Sequence, residues 1–204
     1  MKKTVFFIII AIIAISSVIV ASQPRNFIKE KAWTTDKFLA DSLDSDQMYR
    51  SFEYVIRDSY EYLHVWYEIY QDGELKESNG SSSWIDGKNN KKGSFSSMVN
   101  LRTGVAHSTF LNKSLSSSSD SGINTTIHSE EDRGGISFYK TLSTRSIRED
   151  EEIALFVYAS SDKDGPHEVF SLQELMHNPN KAKSYSYVYL LKCQFSNKDT
   201  IDKF

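Results

Sequence analysis

Residues 62–75 read YLHVWYEIYQDGEL. In an extended chain successive side chains point to opposite faces, so Leu63, Val65, Tyr67 and Ile69 share one side and Tyr62, His64, Trp66, Glu68 and Tyr70 the other. Asp72-Gly73 follows at once, and a glycine there can take the positive φ that a tight hairpin turn demands. The stretch therefore predicts a β-strand that turns back on itself, with Leu75 opening the return strand. Beyond it, Asn79 to Gly93 is rich in Ser, Gly, Asn and Lys and reads as a long exposed loop.

Outward from this hairpin the period of two recurs. Phe52, Tyr54 and Ile56 alternate with Glu53, Val55 and Arg57, and Phe95, Ser97, Val99 and Leu101 with their polar neighbours. Ile123 to His128 reads as a short edge strand, and Ile136, Phe138 and Leu142 resume the alternation after a serine-rich loop at 116–121. Ile153 to Ala159 is apolar on both faces, as a central strand covered on each side should be. Tyr185 to Phe195 is the last strand. Ser171-Leu172-Gln173-Glu174 is a capping box that starts one short helix, which Pro179 ends. Many strands between turn-rich loops predict a mainly β fold, an antiparallel β-sandwich or open barrel over residues 50–204. Residues 23–49 are polar, with scattered anchors at Phe27, Trp33, Phe38 and Leu39, and are expected to be a spacer or a short helix packed on the domain.

Residues 1–22 have the layout of a signal peptide or a membrane anchor. Lys2 and Lys3 precede an uncharged run over residues 4–21, which is the pattern of a secretory signal and is almost long enough to span a bilayer. The domain is therefore expected on the extracytoplasmic side, secreted if the run is cleaved and tethered to the membrane through 4–21 if it is not. The single cysteine, Cys193, allows no internal disulfide and alternates with Leu191 and Phe195, the pattern of a buried thiol. A formal charge of −3 argues against nucleic acid as a partner.

The motifs that carry chemistry are sparse. Ser137 and Lys140 match a Ser-x-x-Lys pattern, but strand alternation puts them on opposite faces. Asp162, Asp164 and Glu168 around Gly165 resemble the start of a calcium loop without its distal ligands, so no metal and no other cofactor is expected. Glu149 to Glu152 reads as a solvated acidic loop. The most distinctive feature is aromatic. Tyr60, Tyr62, Trp66 and Tyr70 are expected on one strand face, with His64 and Glu68 as the best polar cluster, and Tyr185, Tyr187 and Tyr189 on a face of another strand. An open face of this kind would suit a protein or glycan partner, and a covered one would be core. Trp84, beside Ile85 in a loop of small residues, is expected to fold back as a plug over the core, the alternative being a contact residue. These residues predict a non-enzymatic interaction or structural module. The competing expectation is a small hydrolase of envelope polymers, using Glu68, His64 and a remote carboxylate.

Overall fold

The turn at Asp72-Gly73 is built as the sequence requires, with φ of 53° at Asp72 and 80° at Gly73. Gly73 is needed twice over, because a β-carbon there would lie 2.2 Å from Cγ of Lys183. The computed structural model describes residues 26–31, 47–85, 92–100, 105–109, 123–126, 136–162 and 168–199. They form β1 (Phe27–Glu30), β2 (Gln47–Val55), β3 (Tyr62–Gln71), β4 (Glu74–Trp84), β5 (Lys92–Asn100), β6 (Val105–Thr109), β7 (Ile123–Thr126), β8 (Ile136–Thr141), β9 (Thr144–Ser146), β10 (Ile153–Ser161) and β11 (Tyr187–Ser196). Between β10 and β11 lie helix α1 (Leu172–His177) and a 3-10 turn (Pro179–Ser184).

The chain is mainly β, in two antiparallel sheets. One has the order β7-β6-β5-β2-β1-β9 and the other β4-β3-β11-β10-β8. Inward residues of both sheets share one core. Ile28, Phe52, Tyr54 and Phe95 from the first sheet meet Leu63, Val65, Tyr67, Phe156, Tyr189, Leu191 and Phe195 from the second. The ring of Tyr54 stands edge-on to Phe195 at 5.3 Å between centroids, a favoured aromatic geometry. A second cluster lies on the outer face of the β4-to-β8 sheet. There Tyr70, Val157, Ala159, Val188 and Leu190 are covered by Phe170, Leu175, Ala182 and Tyr185 from the helical segment. This is why Ile153–Ala159 is apolar on both sides, each of its residues being buried.

The helix stands where its capping box places it. The Ser171 hydroxyl accepts from the Glu174 amide at 3.2 Å, and the Glu174 carboxylate accepts from the Ser171 amide at 2.7 Å. Cys193 is buried in the main core, and that burial pushes its thiol well above the ordinary range, so it is an inert packing residue. Ser137 pairs with Ser160 and Lys140 with Val157, three positions apart on β8 and so on opposite faces.

Four expectations are corrected. The polar stretch taken as a spacer holds β1, which pairs with both β2 and β9 inside the first sheet. Its anchor is Ile28, fully buried, rather than the half-buried Phe27. The loop expected from Asn79 to Gly93 is strand at both ends, β4 running on to Trp84 paired with β3 and β5 starting at Lys92. The last strand starts at Tyr187, so the three tyrosines do not form a stripe. Tyr185 belongs to the outer cluster, and Tyr189 faces the main core. Likewise Tyr60 precedes β3 and packs into the main core against Phe195, not beside Tyr62.

Buried phenols tie stability to alkaline pH. Burial raises Tyr54 from 10.0 to about 12, and Tyr70 is raised too, first by burial and then by its hydrogen bond to Glu68. The folded state thus binds these protons more tightly than the unfolded chain. Their contribution is whole below pH 10 and is lost as the pH rises from about 10 towards about 12. The urea midpoint should therefore fall over that interval, and Tyr54→Phe should make the fall shallower. A midpoint indifferent to alkali would contradict the burial of both hydroxyls.

Candidate functional site

The face of β3 that carries the aromatic and polar residues is closed. His64 is 0% exposed, Trp66 2% and Tyr70 8%. At the centre of this face β3 and β11 bring together Glu68 and Lys192. The Lys192 ammonium donates to Glu68 at 2.7 Å and to Glu152, from the loop before β10, at 3.3 Å. Tyr70 donates to the other Glu68 oxygen at 2.6 Å, and the Trp66 indole N–H to the first at 3.3 Å. Lys192 also lies 5.9 Å from the centre of the Trp66 ring, where a cation is attracted by the π-face. Glu68 therefore accepts from three donors in a nearly dry setting. Those three bonds hold the carboxylate in place between β3 and β11.

His64 is held in a similar way. Its Nε2 lies 3.0 Å from the carbonyl of Lys198, and because a carbonyl can only accept, Nε2 carries the proton. Its ring stacks on Tyr62 at 6.1 Å with 10° between planes. His64 and Glu68 sit four residues apart on one strand, on the order of 13 Å along the backbone. Glu68 and His64, the two residues named for the hydrolase alternative, are thus both hydrogen-bonded within the fold. His64 is fully buried.

The end of this face is open. Trp84 pairs with Tyr62 across β4 and β3, and 55% of Trp84 is exposed. The plug expected of it is supplied by its neighbour Ile85, which is 1% exposed and part of the main core. The alternation of an extended chain explains the exchange, since adjacent residues must point opposite ways. Tyr187 is half-buried at the other end of the sheet, and its hydroxyl accepts from Gln71 at 3.4 Å.

A groove of about 600 Å³ runs between the β8–β9 turn and α1. Lys140, Arg145, Arg148 and Glu151 line it, with Ala154 and Gln173. Arg145 bonds Glu151 at 2.5 Å and Gln173 with its other nitrogen. The acidic run at Glu149–Glu152 is thus not simply solvated. Glu149 accepts from Asn197, Glu151 pairs with Arg145, and Glu152 with Lys192, while Asp150 turns the chain at φ 57°.

A family model described as the YgaN domain matches residues 44–195. The chain belongs to the YgaN domain family. No curated protein matches it, and no solved structure does. The YgaN match begins three residues before β2 and ends within β11, so it takes in the Glu68–Lys192 pair, Trp84 and the groove but not β1.

The weak calcium candidates do not converge in what is described. Asp162 accepts from the Ser186 hydroxyl, Glu168 pairs with Lys181, and Asp164 lies outside the described residues. Among the described residues no three His, Cys, Asp or Glu side chains group as metal ligands would. No helix among them is long and apolar enough to cross a membrane, and residues 4–21 lie outside them. Sequence reasoning missed Lys192 and Arg145. Lys192 did leave a signal, as the lone charge between Leu191 and Cys193 in an apolar strand, where it requires a buried partner. Arg145 left none, because its importance comes from tertiary contact with α1.

Proposed function

We infer that this domain acts as a β-sandwich interaction or structural module on the extracytoplasmic side of a membrane, binding a protein or glycan partner of the cell envelope rather than turning over a substrate. The observation that carries the reading is the exposed Trp84 at the end of edge strand β4, beside Tyr62, while Glu68 and His64 are bound up in structural bonds. A large aromatic held out by a strand is a ready contact residue, since it offers wide apolar area at little cost in side-chain entropy. The positive start and apolar run of residues 1–21 support the compartment. If the run is kept as an anchor, only residues 22–26 separate it from β1, a reach of at most about 20 Å. The first sheet would then stand close to the bilayer surface.

Two measurements test this. A tag on the domain should be removed when protease is added to intact spheroplasts, and protection until lysis would sink the compartment. Trp84→Ala should leave the unfolding midpoint almost unmoved, within about 0.5 kcal/mol, as for other exposed sites. It should weaken association with envelope extract by about 2 kcal/mol, the size of an interface hot spot. Unchanged association would remove Trp84 as the contact.

A further inference from the structure

The groove between the β8–β9 turn and α1 shares no lining residue with Trp84 or the Glu68–Lys192 pair, although its lining Ala154 pairs with Lys192 across β10 and β11. It gathers three cations, Lys140, Arg145 and Arg148, against one lining carboxylate, Glu151, in a chain whose formal charge is −3. Glu151 is engaged by Arg145 at 2.5 Å and by Arg148 at 3.9 Å. Glu174, a further acid that feels Lys140, has its carboxylate turned onto the Ser171 amide of its own helix cap. The groove therefore keeps a positive surplus, and concave protein walls focus such a field on whatever occupies the space. Its volume of about 600 Å³ is that of a small-ligand site.

The arrangement of donors distinguishes among anions. A carboxylate is satisfied by one guanidinium fork, through two parallel bonds in a plane. Here the Arg145 fork is already taken by Glu151 and Gln173. The cations with donors to spare for a ligand are the Lys140 ammonium on β8 and the Arg148 guanidinium beyond β9, which reaches Glu151 only through Nε at 3.9 Å and whose side chain is 80% exposed. Two cations on separate elements suit a group that presents oxygens in several directions, as a tetrahedral phosphate does. The hydroxyls of Ser143 and Ser146 also line the groove and suit the oxygens of a polyol. We propose that this groove binds a phosphate ester of a small polyol or sugar, with Lys140 and Arg148 on the phosphate and the serines on the polyol.

Titration calorimetry on the full chain, with glycerol 3-phosphate as probe, tests the assignment. Glycerol 3-phosphate should bind at a single site and weaken with added salt, while glycerol gives no signal. Malate, an anion of similar size without phosphate, should bind at least about tenfold more weakly. Lys140→Ala and Arg148→Ala should each lower affinity about tenfold, the loss of one charge-assisted hydrogen bond, without moving the thermal midpoint. Absence of binding at tens of millimolar, equal binding of malate, or an unchanged affinity in the double variant would each overturn the proposal. Inorganic phosphate binding as tightly as the ester would overturn the polyol half of it.

Discussion

Replacing Lys192 with methionine should lower the stability of the domain by about 3–5 kcal/mol, the cost of leaving a buried charge without its partner. The Lys192 side chain is 9% exposed and that of Glu68 12%, so neither can turn to water when the other is removed. The loss should not reflect the value of the pair itself. Desolvating two ions offsets most of their attraction, and a neutral replacement of both is often nearly harmless. In the double variant Glu68→Gln with Lys192→Met, the amide oxygen can accept from the Trp66 indole while the amide NH2 donates to the Tyr70 hydroxyl, which can also accept, and no buried charge is stranded. That variant should recover most of the stability. Urea unfolding of the two singles and the double measures the coupling directly. A Lys192→Met cost below about 1 kcal/mol would place the pair with ordinary surface ion pairs and reopen Glu68 as a chemical group.

What could be read in the sequence followed burial. β3, β10 and β11 were legible because a strand that packs against something on each side writes that packing into its side chains, as in Ile153–Ala159. The helix was legible because Ser171 and Glu174 satisfy its first amides by themselves. β4 was not, because as an edge strand from Glu74 to Trp84 it is held by backbone pairing with β3 and buries almost nothing of its own. Its Ser and Gly residues then look like a loop. Gly80 shows the constraint that composition hides, since a β-carbon there would sit 2.9 Å from the Val65 carbonyl oxygen and 2.5 Å from Cβ of Trp66. The site followed the same rule. Glu68 and His64 could be named from one strand, but whether their face was open depended on β11 and on the chain at Lys198, far away in sequence.

The strand hidden in the polar stretch carries the other large expected effect. β1 is only four residues, too short for any period to show, yet it is the bridge between β2 and β9 in the first sheet. Its register is fixed on both sides, with Ile28 opposite Tyr54 and Arg145. Ion pairs from Lys29 to Glu53 at 2.8 Å and from Arg50 to Glu30 at 3.5 Å flank it, and the Asn26 carbonyl accepts from Ile147 at 3.0 Å. The exposed Lys29–Glu53 pair contributes little, typically well under about 1 kcal/mol. The weight falls on Ile28, fully buried in the core among residues of both sheets. Ile28→Ala should therefore cost about 2–5 kcal/mol, the range for truncating a buried isoleucine where the surroundings relax only in part. Phe27→Ala, although it removes a larger side chain, should cost less than half as much, because Phe27 is only half-buried. The comparison is sharp because bulk alone predicts the reverse order. Equal costs, or a larger one for Phe27, would mean that β1 pairs in a register shifted by one residue, which exchanges the faces of every side chain in it.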